Sequence, residues 1–565
     1  MASRSTAAQR RHAALRSALG GAFQIIEIDS GPGNPYEIPR EAHSVLTDHY
    51  VDRPGHPTVE ALQRVVNLIR SRIADPAKTF IETGDGRIFT YQDTFALAQR
   101  FANALVELGV QPGDRVAVQV DKSAEALILY LGVIAAGAIY LPLNVGYTLT
   151  ELEYFIGDAE PRVVVCRPSV EKDLAPIAKK LGVAHCLTLG ANGDGSLMDK
   201  AKAAAATFAE VPRKADDLAA ILYTSGTTGR SKGAMLSHRN LASNALTLVD
   251  YWRFTRDDVL LHALPIFHTH GLFVASNVIL LAGASMIFLS KFDADEVIKH
   301  LPRATSMMGV PTFYVRLLQH PALTKDLVKH IRLFVSGSAP LLADTHKEWE
   351  ARTGHRILER YGMTETNMNT SNPYDGDRIA GTVGFPLPGV ELRIADPESG
   401  KLLPQGEIGM IEVKGPNVFQ GYWRMPEKTA AEFRPDGFFI TGDLGKIDER
   451  GYVHIVGRGK DLIISGGYNV YPKEVETEID SLPGVVESAV IGVAHPDFGE
   501  GVTAVVVKEK GATLDETAVL RALDGRLAKF KLPKRVFFVD DLPRNTMGKV
   551  QKNLLRDQYK DLYTR

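Results

Sequence analysis

Tyr223-Thr224-Ser225-Gly226-Thr227-Thr228-Gly229-Arg230-Ser231-Lys232-Gly233 is the stretch on which the reading of this chain turns. The apolar run before it, Leu218-Ala219-Ala220-Ile221-Leu222-Tyr223, reads as a buried strand that feeds the loop. Glycine lets a backbone approach a ligand and visit positive φ. Successive backbone N–H groups then form a concave anion site. The hydroxyls of Thr224, Ser225, Thr227 and Thr228 add donors, Gly226 and Gly229 add freedom, and Lys232 adds a point charge. Such a loop suits a polyphosphate, above all the β- and γ-phosphates of ATP. The pattern G-x-x-x-x-G-K-[S/T] is absent, and the plain alternative is a Gly/Ser/Thr-rich surface loop.

Working outward, helical and strand-like segments alternate from about residue 60 to about 380. Residues 61–73 have a helical period, Phe89-Thr90-Tyr91 followed by Asp93 reads as a strand end and helix cap, and residues 116–120 read as a strand. The alternation predicts an α/β fold of layered sheets and helices with largely parallel strands. Residues 201–206 are a low-complexity Ala/Lys helix, expected to face solvent. From about 383 the pattern changes to short strands and turns, with residues 390–394 and 409–413 alternating in period two. A charged, glycine-flanked stretch at 457–460 marks a linker, and the last hundred residues form a small α+β lid. The expected division is an irregular N-terminal extension over 1–57, a large domain over 58–458 and a lid over 459–565.

The chain has 565 residues, too many for one core, so two or more domains are expected. Hydrophobic content of 45% and charged content of 23% are those of a soluble globular protein. A net charge of −2 gives no electrostatic case for a nucleic acid or a membrane as partner. Cys166 and Cys186 are the only cysteines, too few for a disulfide framework or a zinc site, and a reducing compartment is the simplest inference. Residues 126–143 carry no charge, yet Gly132, Gly137 and Pro142 interrupt them; they read as a buried helix, a turn and a short strand rather than a membrane span. The first 26 residues contain no acid and include Arg4, Arg10, Arg11 and Arg16. That composition suits a mitochondrial transit segment, but a cytoplasmic protein with an N-terminal extension is the preferred expectation.

Further chemistry lies downstream. In Tyr361-Gly362-Met363-Thr364-Glu365-Thr366, Glu365 is the candidate ligand of Mg²⁺, which takes one or two protein carboxylates beside phosphate and water. Thr364 is placed to donate to the α-phosphate, and Tyr361 to stack on adenine. Asp443, in Thr441-Gly442-Asp443 at an expected strand end, is a candidate acceptor for ribose hydroxyls. Arg458 and Lys460 sit in Gly457-Arg458-Gly459-Lys460, where a few residues can absorb a hinge motion. Pro543-Arg544-Asn545-Thr546-Met547-Gly548-Lys549 sets one lysine on a tight turn.

Taken together, and with Ser336-Gly337-Ser338-Ala339-Pro340, these motifs resemble, in order, those of the adenylate-forming acyl-CoA synthetases, the group that includes luciferases and peptide-synthetase adenylation domains. The resemblance spans roughly residues 60–560. It implies a carboxylate that attacks the α-phosphate of ATP, an acyl-adenylate, loss of pyrophosphate, rotation of the C-terminal domain and attack by the CoA thiol. Under it, Lys549 stabilises charge in the first half-reaction, Lys460 is the hinge, Asp443 and Arg458 contact ribose, Gly337 and its neighbours Ser338, Ala339 and Pro340 flank adenine, and Gly466 and Gly467 line the pantetheine tunnel. Lys549, Thr364, Glu365 and His268 form the catalytic set. Gly362 belongs with the nucleotide contacts.

Within that family, His262-Ala263-Leu264-Pro265-Ile266-Phe267-His268-Thr269-His270-Gly271, residues 361–372 and residues 311–316 look like the malonyl-CoA synthetases. A malonate site must neutralise a second carboxylate, because burying one unpaired is very costly. Arg316 offers a bidentate fork, Ser338 and His268 add donors, and Thr269 and Met363 limit the substituent at C2. His262 and His270 are read as structural. The expected partners are malonate, ATP and CoA, with methylmalonate as a slower substrate and a monomer or homodimer as the assembly. A carrier-protein-loading enzyme, a luciferase-type oxidase and a nucleotide-binding pseudoenzyme are the competing readings. No carrier domain follows Lys549, and retention of Lys549, Glu365 and Lys232 opposes the last.

Overall fold

The computed structural model describes residues 65–224, 231–465, 468–527, 529–545 and 548–563. The N-terminal extension, Ser225, Gly226, Thr227, Thr228 and Gly229 of the loop tip, and Gly466 and Gly467 lie outside the described residues.

Among the described residues the strands form four sheets. A six-stranded sheet carries the opening motif. Its inner pairs are parallel, joining strands Arg115–Gln119, Ile139–Pro142, Val163–Cys166, His185–Thr188 and Leu218–Thr224. At its edge, Leu218–Thr224 turns back into an antiparallel partner, Lys232–Ser237, with Thr224 opposite Lys232. The described strands on either side of the loop are thus antiparallel partners, and Lys232 begins a strand rather than a helix.

A nine-stranded sheet repeats this design. Parallel strands Val259–His262, Ser285–Phe288, Ser306–Gly309, Leu333–Ser336 and Leu358–Met363 end in an antiparallel hairpin with Asn367–Ser371. The turn of that second hairpin holds Thr364 and Glu365. A four-stranded antiparallel sheet follows (Glu391–Ala395, Gly409–Lys414, Phe439–Ile447, Val453–Arg458), and a five-stranded sheet is built from residues 463–539.

Local chemistry explains the element ends. Thr90 caps the helix Tyr91–Glu107 in a full capping box with Asp93, a device worth about 1 kcal/mol. The uncharged stretch is the buried helix Ala124–Ala135, a turn at Gly137 with φ +74°, and the strand Ile139–Pro142. No helix among the described residues is long and apolar enough to cross a membrane.

Two expectations are corrected. The Ala/Lys helix runs Ser196–Ala203, and Leu197, Met198 and Ala201 are buried in the main core, so only its lysine side faces solvent. Asp443 is not at a strand end. It lies inside the nine-residue strand Phe439–Ile447, where the pairing with Gly409–Lys414 shifts register and Gly442 takes φ +75°. A bulge of this kind re-aims a side chain.

Candidate active site

The two hairpins meet through residues 417–423. Phe419 N–H donates to the Glu365 carbonyl (2.7 Å), and Asn417 Nδ2 donates to the Thr366 carbonyl (2.7 Å). Gln420 and Trp423 donate backbone N–H groups to Met235 and Gly233 on the edge strand. These contacts put the Tyr422 side chain between the hairpins. Its hydroxyl lies 2.6 Å from Glu432 Oε2 and 3.1 Å from Glu365 Oε1. Lys232 Nζ stands 4.0 Å over the Tyr422 ring and 3.0 Å from Glu432 Oε1. Glu365 is buried, and burial pushes its carboxyl up despite the Tyr422 hydroxyl and the Lys232 charge. A buried carboxylate of this kind suits Mg²⁺ that draws its remaining ligands from phosphate and water. Among the described residues no cluster of three or more acidic, histidine or cysteine side chains could hold an ion unaided.

The stem of the first hairpin is pinned from outside. Tyr154 donates its hydroxyl to the Ser231 carbonyl (2.8 Å), and the Tyr223 hydroxyl donates to Asp158. Thr224 Oγ1 lies 3.4 Å from the Lys232 carbonyl.

Across the groove, Asp443 faces Arg458 on the neighbouring strand. Arg458 Nε is 3.1 Å from Asp443 Oδ1, and Tyr361 donates its hydroxyl to Oδ2 at 2.6 Å. Asp443 keeps lone pairs free on both oxygens for ribose, held from two sides. The Asp443 charge raises the Arg458 pKa, and burial followed by that charge pushes the Tyr361 phenol up. Tyr361 therefore fixes Asp443 whether or not its ring also meets adenine. Thr364 and Met363 are partly buried beside it.

The third cluster centres on a residue that the sequence reading passed over. Arg360, beside Tyr361 in the motif, is buried at 4% exposure, and its Nε and Nη2 have no hydrogen-bond partner. Thr269 Oγ1 and His270 Nε2 are buried without partners as well. His270 Nδ1 is 3.1 Å from Ser338 Oγ, and His268 Nδ1 accepts the His270 backbone N–H at 3.4 Å. Burial, then the charges of Arg360 and Lys549, lower the His268 pKa to about 4, so it is neutral at pH 7. Burial lowers Arg360 itself to about 9. A Cβ on Gly337 would stand 2.4 Å from the Arg360 guanidinium, so a side chain there would displace the arginine head. Ser338 adopts φ +71°, a strained backbone of the kind that gathers at functional sites. Ala339 is partly buried and Pro340 exposed at the rim. His270, read above as structural, belongs to this pocket.

His262 remains structural. Its Nδ1 is 2.9 Å from the buried Lys122 Nζ, and its Nε2 is 2.9 Å from the Gly271 carbonyl. It thereby anchors the π-helical turn His270–Ser276, which begins with His270 just after His268 and Thr269. Arg316 is exposed on the helix Pro311–Leu318, on the face it shares with Thr312 one turn earlier. A Cβ on Gly548 would lie 3.6 Å from Thr312, so this face borders the Lys549 turn. Arg316 stands at a rim, not in the buried pocket.

Lys549 reaches the site from the C-terminal sheet. Burial and the charge of Arg458 lower its pKa to about 8, and Asp443 and Asp461 partly offset this. Lys460 lies in the short turn Gly459–Asp461 between the four- and five-stranded sheets, and Asp461 is tied to Arg556 at 2.8 Å. The available signal for Arg360 was a charge, next to that of Glu359, inside the strand Leu358–Met363. Glu432 and Tyr422 gave none, because their partners are far away in sequence.

Known proteins resemble this chain along most of its length. Residues 70–423 match the family model described as AMP-binding enzyme, and residues 474–549 match the AMP-binding enzyme C-terminal domain. The ATP-bound crystal structure of MatB from Rhodopseudomonas palustris is 69% identical, covers 89% of this chain and 99% of its own, and superposes with a TM-score of 0.87; its apo form, equally identical, gives 0.78. The malonate–CoA ligase of Arabidopsis thaliana is 36% identical over 543 residues, 88% of this chain and 89% of the relative. Feruloyl-CoA synthase from an Amycolatopsis species is also 36% identical, over 87% of this chain and 98% of its own length. At that distance, overall identity separates neither acid from the other. The chain belongs to the AMP-binding enzyme family, with both the large domain and the C-terminal domain of that family in place.

Proposed function

We propose that this chain is an AMP-forming malonate–CoA ligase, which joins malonate to CoA through a malonyl-adenylate. The observation that carries the reading is the buried Arg360 guanidinium with two unpartnered nitrogens, ringed by Ser338, His268 and His270. A buried charge without a partner is strongly unfavourable. A fatty acid would leave Arg360 facing methylenes. A short diacid supplies the missing carboxylate, and a planar guanidinium takes it through two parallel bonds.

The chemistry then follows from placement. With one malonate carboxylate on Arg360, the other points toward the α-phosphate. Asp443, held by Tyr361 and Arg458, fixes the ribose, and Lys232 and the hairpin tip hold the polyphosphate. Glu365 would hold Mg²⁺, which would neutralise phosphate charge there. Lys549 offsets the charge that builds up as the carboxylate oxygen bonds to phosphorus and pyrophosphate leaves; aimed charge of this kind is a large catalytic term. Neutral His268 donates a hydrogen bond without adding a second cation to the pocket. Thr269 and Met363 bound the space at C2, which suits malonate first and methylmalonate second. Withdrawal of Lys549 about the turn at Lys460 then opens the acyl carbon to the CoA thiol.

The test is AMP release from purified enzyme with MgATP and CoA across acetate, malonate, methylmalonate, succinate and octanoate. Malonate should lead, with methylmalonate next. Preference for octanoate or acetate would overturn the acid assignment, and no AMP with any acid would overturn the activity.

A further inference from the structure

Lys232 opens the strand that follows the loop expected to hold polyphosphate, yet its charge is already matched. Glu432 Oε1 accepts from Lys232 Nζ at 3.0 Å and from Lys428 Nζ at 2.8 Å, and Glu432 Oε2 accepts from the Tyr422 hydroxyl at 2.6 Å. Lys232 and Glu432 are separated by 200 positions in sequence, so the pair is a tertiary arrangement. Their side chains are 17% and 20% exposed, and Lys428 is 44% exposed. Glu432 is rigidly placed: it closes the helix Pro426–Ala431, and its carbonyl accepts the Ile440 N–H at 2.8 Å.

Two lysines on one carboxylate oxygen make an exchangeable set. An ammonium has three donors, so Lys232 can turn one N–H from Glu432 to a phosphate oxygen. Lys428 then remains to neutralise Glu432, and the carboxylate is not left alone. When the phosphate leaves, Glu432 is in place to take Lys232 back.

We infer that Glu432, relayed by Lys428, is a carboxylate latch that competes with the polyphosphate for Lys232 and speeds the release of pyrophosphate. The inference rests on the adenylating activity proposed above. Glu432 acts through Lys232 and is a positioning residue. Weaker binding of the leaving product is of use because pyrophosphate has to depart before CoA can react.

The test measures binding of magnesium pyrophosphate to the full-length protein by calorimetry, with no acid or CoA present, and its product inhibition of AMP formation. Wild-type protein that binds neither pyrophosphate nor ATP would defeat the adenylating reading itself. Given wild-type binding, Glu432→Gln keeps the shape and the Tyr422 hydrogen bond but removes the charge. It should tighten pyrophosphate about tenfold, a change of about 1.4 kcal/mol, deepen product inhibition equally and slow turnover. Unchanged or weaker pyrophosphate binding in Glu432→Gln would overturn the latch, because a residue that only orients Lys232 would weaken binding when changed. Lys428→Met supplies a second reading at a half-exposed position. It should weaken pyrophosphate binding in the wild-type background and have no effect in Glu432→Gln. A loss that persists in that background would make Lys428 a direct phosphate ligand and remove its part in the latch.

Discussion

Two cations, the buried Arg360 and the partly exposed Lys232, are treated in opposite ways. Arg360 has no carboxylate partner and keeps two bare nitrogens. Lys232 has Glu432 at 3.0 Å and a tyrosine ring beneath it. Under the proposed reaction, the acid stays bound from adenylation to thioester formation, whereas pyrophosphate arrives with the nucleotide and must leave midway. An unpaired cation holds its ligand for both steps. A paired one can exchange. Under the same proposal Lys549 is a third solution: its charge would be brought in and taken away on the C-terminal domain.

The largest effect should come from removing the unpaired cation. Arg360→Met keeps volume and discards the charge, and kcat/KM for malonate should fall by about a thousandfold or more, as for loss of a charged, bidentate contact in a buried site. Activity on propionate should hold or rise, since the apolar acid no longer faces a bare guanidinium. Steady-state assays on both acids, beside a melting curve, decide it. Equal loss on both would mean that Arg360 supports the fold and not the acid, and the contrast with Lys232 would disappear.

Next comes Lys549. Lys549→Ala should slow adenylate formation by about two to three orders of magnitude, while CoA attack on supplied malonyl-adenylate stays within a few-fold. Loss in both half-reactions would deny that its charge serves one step only. The pH profile tests the same point. Lys549 is cationic below its pKa of about 8 and neutral above it. The free-enzyme profile of kcat/KM should therefore decline as pH rises through about 8, and Lys549→Arg, although less active, should lose that basic limb.

How much of this could be read from the sequence depends on distance along the chain. The strand Leu218–Thr224, the Thr90–Asp93 cap and the turn at Gly137 are local patterns, and local geometry produces them. The same is true of Asp443, whose candidacy came from three adjacent residues. Its place inside a bulged strand was not legible, because the bulge depends on pairing with residues 409–414. Glu432 was invisible for the stronger reason that its meaning is its distance from Lys232. Arg360 was open to view as a charge inside a strand, but its lack of a partner is a statement about everything around it. Arg316 drew attention instead, because a helix-borne arginine beside Pro311 gives no hint in sequence of which side faces water.

Arg316 supplies the smallest predicted effect and the sharpest control on the comparison. It carries the same guanidinium as Arg360 but stands exposed on the helix face next to Thr312 and the Gly548 turn. Water already solvates it, so an ion pair formed there is worth about 0–1 kcal/mol. Arg316→Ala should thus lower kcat/KM for malonate by about fivefold or less, and raised salt should shrink even that difference. A loss as large as that of Arg360→Met, with propionate spared, would reverse the assignment: the rim arginine would have to close over the diacid during catalysis and become desolvated there. Measuring both variants on malonate and propionate at two ionic strengths separates a cation that acts because it is buried from one that acts because it moves.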